Sequence, residues 1–387
     1  MPTLTLPTPD GRLERFSTVA APVRVAAPVP FNRIAYAATH IVADPLADCD
    51  PWLDAAIDWD ATMAYRRYLW ELGLGVAEGM DTAQRGMGLD WPGAQELIRR
   101  AIDAARDYPD AVLGSGAGTE QLVPGPDVTV DDVIAAYEEQ CAFVESNGGS
   151  IVLMASRALA ACATGPDDYA RVYDRVLSQV RAPLIIHWLG EMFDPALAGY
   201  WGYDDHSRAM DVCLDVLAAN TAKVDGIKIS LLDKDKEIAM RRRLPEGVRM
   251  YTGDDFNFAE LIAGDSEGYS DALLGIFDAI APAASAALGA LASGDDRGFH
   301  EILEPTVALS RHIFQAPTRF YKTGVVFMAY LNGHQDHFTM VGGQQSARSL
   351  AHLAELFRLA DAAGLLCDPD IAASRMNDVL AVHGIGT

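Results

Sequence analysis

A lysine within an otherwise apolar segment is the residue of this sequence best suited to covalent chemistry. Lys228 stands in Val-Asp-Gly-Ile-Lys-Ile-Ser, residues 224–230, where the β-branched residues predict a buried strand. Burying an unpaired ammonium costs several kcal/mol, and desolvation lowers its pKa until the neutral amine becomes a nucleophile toward carbonyl carbon. The same spacing also allows Lys228 to point outward beneath a helix and pair with an acid such as Asp225.

Polar residues at the ends of other apolar segments could complete a site with this lysine. A histidine such as His187 can act as acid or base near neutral pH, bind a metal, or stay a hydrogen-bonded core residue. Arg157 offers a cation for an anionic substrate or a structural ion pair. The full set of candidates is Asp81, Thr82, Gln84, Arg85, Arg157, His187, Trp188, Lys228, Ser230, Gly253 and Asp254.

Divalent-metal chemistry is an alternative that some of these residues allow. Glu78, Asp81, His187 and Asp254 could converge on a cation through oxygen and imidazole ligands. No short ligand motif of the HxH or HExxH kind supports such a site, and His-Gln-Asp-His at residues 334–337 reads as a loop. The sequence therefore predicts no metal and no cofactor, with a metal-dependent enzyme as the alternative.

These residues need a scaffold in which strand ends converge. Between residues 34 and 282, eight short apolar segments alternate with helical periodicity, which predicts an α/β fold, the (β/α)8 TIM barrel, with function at the C-terminal ends of the strands. An open doubly wound sheet would want a glycine-rich phosphate loop after its first strand, and this sequence has none there. The predicted strands are 34–42, 75–78, 111–114, 150–155, 183–187, 224–230, 248–252 and 268–274, and the clearest helices are 60–72, 92–106, 130–146, 167–179 and 205–219.

Two further parts flank the predicted barrel. Pro-Asp-Gly at residues 9–11 predicts the turn of an N-terminal hairpin within residues 1–33. After residue 282 the strand pattern stops, and residues 283–387 are predicted to form a helical extension packed on the barrel. Its predicted helices are 283–293, 296–314, 321–331 and 343–363.

The composition limits the classes of partner that this protein could bind. A net charge of −24 disfavours nucleic acids and anionic membranes, and any site for an anion must supply its own positive field. The five cysteines form no CxxC pair, which argues against a disulfide framework or zinc knuckle. No secretory signal and no apolar stretch of membrane-spanning length is recognised, so we expect a cytoplasmic protein.

At this point several segments carry a resemblance. Residues 224–230, followed by Val-Arg-Met-Tyr-Thr-Gly-Asp-Asp at 248–255, resemble the lysine strand and the next strand of the dihydrodipicolinate synthase and N-acetylneuraminate lyase superfamily. The match extends over residues 34–335 and is closest to an uncharacterised branch, the domain of unknown function 993 type. The other matching segments, in the same order, are 57–61, 113–118, 182–187 and 320–329.

The resemblance implies a Schiff base between Lys228 and a keto substrate, whose protonated imine accepts electrons while a neighbouring C–C bond breaks or forms. It thus implies a lyase or aldolase, or a dehydratase, acting on a small keto acid or sugar-derived carbonyl compound, in a homo-oligomer (dimer or tetramer). A non-catalytic barrel that binds sugar acids is a further alternative.

The sequence departs from the superfamily pattern at two places. His187 occupies the position of the superfamily's proton-shuttling tyrosine. The turn that holds the carboxylate of pyruvate, Gly-Thr-Thr-Gly-Glu in the superfamily, corresponds here to residues 79–86. In that turn Asp81 would repel the carboxylate of a substrate, although Arg85 could compensate. The repulsion by Asp81 argues against pyruvate as the substrate. Trp188 opens an aromatic loop suited to sugar stacking or to packing a lid.

Overall fold

The computed structural model describes residues 2–25 and 29–385. Eight parallel strands close into a barrel in chain order, which confirms the predicted TIM barrel. Its strands are β3 (Ala35–Ala38), β4 (Gly75–Glu78), β5 (Leu113–Ala117), β6 (Ser150–Met154), β7 (Leu184–Leu189), β8 (Val224–Ser230), β9 (Arg249–Thr252) and β10 (Asp271–Leu274), after the antiparallel hairpin of β1 (Thr3–Pro7) and β2 (Leu13–Ser17).

Helices follow the barrel strands and then form the C-terminal extension. Those between residues 59 and 279 are α1 (Trp59–Glu71), α2 (Trp91–Ala105), α3 (Val130–Ser146), α4 (Arg157–Cys162), α5 (Pro166–Gln179), α6 (His206–Ala219), α7 (Lys234–Arg241), α8 (Phe258–Ala263) and α9 (Ile276–Ala279). The later helices are α10 (Ala281–Ala292), α11 (Asp296–Leu303), α12 (Val307–Ile313), α13 (Tyr321–Leu331), α14 (Leu350–Ala362) and α15 (Pro369–Val382). Among the described residues, no helix is both long and apolar enough to cross a bilayer.

The starts of the barrel helices follow local capping. Asp58 and Asp90 accept hydrogen bonds from the first turns of α1 and α2, and Thr129 and Asp132 form a capping box before α3. The five predicted barrel helices lie within one residue of α1, α2, α3, α5 and α6. Asp205 likewise caps α6, whereas α5 begins at Pro166 without a side-chain cap.

The first barrel strand is shorter than predicted. It ends at Ala38 instead of residue 42, because after Thr39, whose N–H still donates to the backbone oxygen of Ala77 on β4, the N–H groups of His40 and Val42 bond to side chains. The N–H of His40 donates to Asp278 at 2.8 Å, and that of Val42 donates to Thr62 at 3.0 Å. The last strand likewise starts at Asp271, after Gly268 with φ of 154°.

Side chains alternate along the strands between the barrel interior and the layer beneath the helices. The interior cluster includes Tyr36, Val152, Ile185 and Tyr251. On β8 this alternation places Lys228 on the interior side, two residues after Gly226. A Cβ at position 226 would lie 2.6 Å from Tyr251 Cε2, so glycine is needed for the tyrosine ring to fill the barrel below the lysine.

The C-terminal extension differs from the prediction at its turns. Residues 296–314 form two helices, because Pro305 lies in a 3-10 turn between α11 and α12. The helix predicted from residue 343 starts at Leu350, since Gly342 and Gly343 have positive φ. Helix α13 is buried along its whole length against the barrel and the other helices. The exact division of the chain at residues 33 and 282 stays a prediction.

A buried ion pair joins α1 to β4 beside the barrel mouth. Arg66 donates from Nε and Nη2 to the two carboxylate oxygens of Glu78, at 2.8 and 2.9 Å, and both side chains are fully buried. Arg66 Nη1 also donates to the backbone oxygen of His40. The pair therefore ties the first two barrel loops together.

Removing one partner of this pair should be strongly destabilising. We expect Arg66→Met to lower the free energy of unfolding by about 3–5 kcal/mol, because it leaves the Glu78 carboxylate buried and unpaired. Denaturant titration followed by circular dichroism measures the change. Arg66→Met/Glu78→Met should recover part of the loss, and Arg99→Met, at an exposed pair with Asp103, should cost under about 1 kcal/mol. If Arg66→Met lowered the free energy of unfolding by as little as Arg99→Met, the buried pair would not stabilise the fold.

Candidate functional site

Lys228 points into the mouth of the barrel, the inward one of the two orientations that its spacing allows. Its side chain is 6% exposed and lines a cavity of about 20 Å³, the inner chamber, together with Asp81, His187, Ser230, Asp255 and Tyr321. No carboxylate oxygen of the described residues lies within 4.0 Å of its Nζ. Asp225, the outward alternative, instead accepts a hydrogen bond from Tyr251 at 2.6 Å.

The surroundings of Lys228 favour the neutral amine. Burial lowers its pKa to about 8, against the opposing effect of the Asp255 and Asp81 carboxylates. Burial also raises the pKa of Asp255, whose Oδ1 accepts the N–H of Ile276 at 2.9 Å. The inner chamber thus holds an amine and a carboxyl group whose pKa values both lie near neutral pH.

His187 lies beside Lys228 on the neighbouring strand β7, at the same register. Its Nε2 is 3.1 Å from Ser230 Oγ, and its buried Nδ1 has no hydrogen-bond partner among the described residues. Burial and the nearby lysine charge hold its pKa well below the ordinary value, so the imidazole is neutral. A neutral ring can both give and take a proton.

The turn after β9 is built around Gly253. A Cβ there would lie 2.7 Å from Lys228 Cε and 2.6 Å from the backbone oxygen of Ile229, so only glycine leaves room for the lysine. Asp254 turns away from the chambers, and its carboxylate accepts hydrogen bonds from the backbone of Phe256 and from Asn257 Nδ2 at 2.8 Å each. The next residue, Asp255, faces Lys228 in its place.

A larger cavity of about 540 Å³, the outer chamber, opens beside the inner one and shares with it Asp81, His187, Leu189, Phe193 and Tyr321. Its size is within the range of small-molecule sites, about 300–1,000 Å³, whereas the inner chamber has room for roughly one water. A carbonyl group can therefore enter the inner chamber while the rest of a substrate occupies the outer one.

The loop after β4 separates the two chambers. Asp81 lines both, and its carboxylate accepts no hydrogen bond from any residue that the structure describes. Thr82 Oγ1 is 2.8 Å from Tyr321 Oη of helix α13. Gln84 has a φ of 64° and donates to the backbone oxygen of Val341 at 2.9 Å, so it holds the loop against the C-terminal extension.

The two predicted arginines line the outer chamber but already have carboxylate partners. Arg85 pairs with Glu120 and donates to the backbone oxygens of Gly79 and Gly116, which fixes the loops after β4 and β5. Arg157 pairs with Asp194. Both arginines contribute to the local field as members of ion pairs.

Trp188 is one of four candidates that line neither chamber, the others being Gln84, Gly253 and Asp254. It points away from the barrel interior, and its ring meets those of Trp201 and His206 edge to face. This aromatic contact packs the loop after β7 against α6, which corresponds to the lid alternative.

The four residues considered for a divalent cation are held apart by their own contacts. Glu78 is bound by Arg66 and Asp254 by Asn257, so neither faces Asp81 or His187. No group of three or more metal-binding side chains occurs among the described residues. The described side chains therefore do not fit a metal.

Lining residues that the sequence-based candidate set lacks include Asp255, Arg319, Tyr321 and Lys322. Tyr321 and Lys322 begin helix α13, which packs over the barrel mouth. Lys322 is 4% exposed, and burial lowers its pKa to about 8. Its place in the first turn of a helix was a usable signal, because a cation there opposes the helix dipole.

The comparisons with known proteins agree with this architecture. A family model described as "Protein of unknown function (DUF993)" matches residues 4–385. No match is found among curated protein sequences. The family match confirms the predicted resemblance to the domain of unknown function 993 type.

Three solved structures illustrate the similarity. Dihydrodipicolinate synthase from Aquifex aeolicus has a TM-score of 0.64 and 14% identity, covering 87% of this chain and 99% of that chain. The synthase from Oceanobacillus iheyensis has a TM-score of 0.61 and 15% identity, covering 84% and 96%. YagE of E. coli K12, a prophage protein of the dihydrodipicolinic acid synthase family in complex with pyruvate, has a TM-score of 0.65 and 14% identity, covering 86% and 99%. At these identities the likeness shows the fold alone.

The low pKa of Lys322 predicts that this side chain destabilises the protein at neutral pH. Folding lowers its pKa from 10.5 to about 8, so the full cost of the buried charge is present below pH 8 and disappears as pH rises toward 10.5. In phosphate-free buffer at pH 7, Lys322→Met should therefore raise the free energy of unfolding by about 1–3 kcal/mol.

Urea titrations at pH 7 and 9.5 measure this effect. The advantage of Lys322→Met should shrink to less than half at the higher pH. Lys234→Met, at an exposed lysine paired with Glu260, is the control and should change stability by under about 1 kcal/mol at both pH values. A destabilised Lys322→Met, or an advantage that grows with pH, would contradict the prediction.

Proposed function

The chain belongs to the DUF993 family, a protein family of unknown function, and we propose that it is a lyase or aldolase whose Lys228 forms a Schiff base with a small carbonyl substrate. The observation that carries the proposal is the position of Nζ in the inner chamber, with no carboxylate of residues 2–25 and 29–385 within 4.0 Å. The lowered pKa supports it, since the free amine is the form that attacks carbonyl carbon. The fold shared with dihydrodipicolinate synthases supports it as an analogy.

Imine formation needs one proton and releases one water. The Nζ lone pair attacks the carbonyl carbon, the C=O electron pair moves to oxygen, and a proton passes from nitrogen to that oxygen. A second proton lets the hydroxyl leave as water and the C=N bond form. Asp255, which shares the inner chamber and has a raised pKa, is the group that we assign as the proton donor.

The protonated imine then serves as the electron acceptor. The electron pair of the bond between the α and β carbons moves into the C=N⁺ unit, while a base takes the proton from the β-hydroxyl and releases an aldehyde or ketone. The enamine is protonated at the α carbon, and water hydrolyses the imine. His187 suits the base, because its ring is neutral and one ring nitrogen has no partner among the described residues. A dehydratase would instead leave the bond between the α and β carbons intact: a base would take the α proton of the imine, and the resulting enamine would expel the β-hydroxyl, protonated, as water.

Borohydride reduction should trap the imine on Lys228. Incubating the protein with borohydride and a panel of keto acids and hydroxylated ketones should give a reduced adduct whose mass identifies the substrate class. Peptide mapping distinguishes Lys228 from Lys322, the other buried lysine at the site. Lys228→Met should abolish the adduct, and Lys234→Met should retain it.

Two results would count against this function. An adduct on Lys322 in the unchanged protein would show that Lys228 is not the lysine that forms the imine. A saturable carbonyl ligand that binds Lys228→Met unchanged and never forms an adduct would favour the non-catalytic sugar-acid-binding barrel.

The rate of imine formation should follow the titration of both Lys228 and its proton donor Asp255. With cyanoborohydride in such excess that its concentration does not affect the rate, trapping should rise about tenfold per pH unit below 7, where Lys228 loses its proton, and fall above 8, where Asp255 is ionised. Asp255→Asn should slow trapping and replace the fall by a plateau, because this variant has no donor that ionises. A rate that keeps rising to pH 10.5, as for an exposed lysine, would contradict the buried amine.

A further inference from the structure

The outer chamber contains a buried lysine that imine chemistry does not use. Lys322 Nζ donates to the backbone oxygen of Arg319 at 3.1 Å, and it lies 3.5 Å from the sulfur of Met87 and 4.7 Å from the centroid of the Tyr321 ring. No carboxylate oxygen of the described residues lies within 4.0 Å of it. An ammonium has three donors and is costly to bury, so this arrangement leaves both charge and hydrogen-bonding capacity unused.

The helix position of Lys322 argues against a purely structural role. It is the second residue of α13, where the helix dipole is positive, and Arg319 lies in the turn just before it. Two cations at a helix N-terminus oppose the dipole, whereas an anion between them would be stabilised by both side chains and by the dipole. The local sequence is therefore favourable only when a negative group is bound there.

The charge balance of the outer chamber points the same way. Arg85 and Arg157 have Glu120 and Asp194 as partners, while Lys322 and Arg319 have no carboxylate partner among the described residues. Asp81 is the remaining carboxylate of the lining. The chamber is thus locally positive in a chain of net charge −24.

We propose that Lys322 and Arg319 bind an oxyanion group of the substrate, a phosphate or a carboxylate, at the end remote from the reacting carbonyl. The carbonyl end rests on the proposed function of Lys228. Asp81 lies where the chambers meet, so a carboxylate directly attached to the carbonyl carbon would be repelled there, while a hydroxyl group would donate to it. The substrate class is a hydroxylated ketone or aldehyde with a distant anionic group, which differs from pyruvate.

Isothermal titration with inorganic phosphate and with acetate, at constant ionic strength set with sodium chloride, tests the anion site alone. We expect saturable binding of one of them to the unchanged protein and to the Lys234→Met control. Lys322→Met, an uncharged side chain of similar length, should weaken it at least about tenfold, as should Arg319→Met. The anion that binds distinguishes phosphate from carboxylate. Equal affinity in Lys322→Met, or no saturable binding of either anion, would overturn the proposal.

A series of keto acids then tests the geometry. Borohydride trapping should be half-saturated at lower concentrations of levulinate or 5-oxohexanoate, whose carboxylates are remote from the carbonyl, than of pyruvate. Lys322→Met should remove this preference, and Asp81→Asn should improve trapping of pyruvate. A preference for pyruvate that Lys322→Met leaves unchanged would overturn the assignment of the remote anion.

The two proposals fail in different ways. Lys228→Met should keep the affinity for the inorganic anion while losing every adduct. If the unchanged protein binds the anion but forms no imine with any carbonyl compound, the Schiff-base function is wrong and the anion site stands. If Lys228 is trapped and Lys322→Met alters neither anion affinity nor keto-acid preference, the anion site is wrong and the function stands.

Discussion

The cost of keeping an amine dry is the constraint around which the mouth of this barrel is arranged. The buried arginines nearby have carboxylate partners, Arg66 with Glu78 and Arg85 with Glu120, and these pairs stabilise the loops. Lys228, like Lys322, has no carboxylate of the described residues within 4.0 Å, and burial lowers its pKa. The fold must offset this cost elsewhere, and the space that Gly253 leaves for the lysine shows that the backbone is shaped around the side chain. Burial of Lys228 Nζ therefore lowers the stability of the fold while it increases the reactivity of the amine.

The barrel could be predicted from the sequence because its evidence is local. Each strand is a short apolar segment, most of the long barrel helices have a side-chain cap, and their alternation allows few architectures. The orientation of Lys228 was harder, since Asp225 lies three residues away on the same strand and offered an alternative partner. The choice between Asp254 and Asp255 was not readable at all. The strand ends before them, so the alternation of side chains no longer determines which carboxylate faces the chamber.

The C-terminal extension shows where local evidence ends. Its apolar pattern predicts helix α13, but a helix buried on every side has no polar face that would reveal its packing direction. Only the three-dimensional arrangement shows that Tyr321 reaches Thr82 across 239 residues of sequence and closes the inner chamber. An extension that would otherwise be peripheral to a barrel thereby becomes part of the candidate site.

Charge distribution explains how so acidic a protein could select an anion. At physiological ionic strength the field of a surface charge decays over about 8 Å, so the net charge of the chain slows the approach of an anion more than it determines binding inside a cavity. Within the outer chamber the nearest charges dominate, and there the ion pairs leave Lys322 and Arg319 against a single carboxylate. That carboxylate, Asp81, lies at the junction with the inner chamber. Lys322 and Arg319 therefore attract an anion to one end of the site, and Asp81 repels it from the other end. The positions of these three charges determine the orientation of a bound substrate.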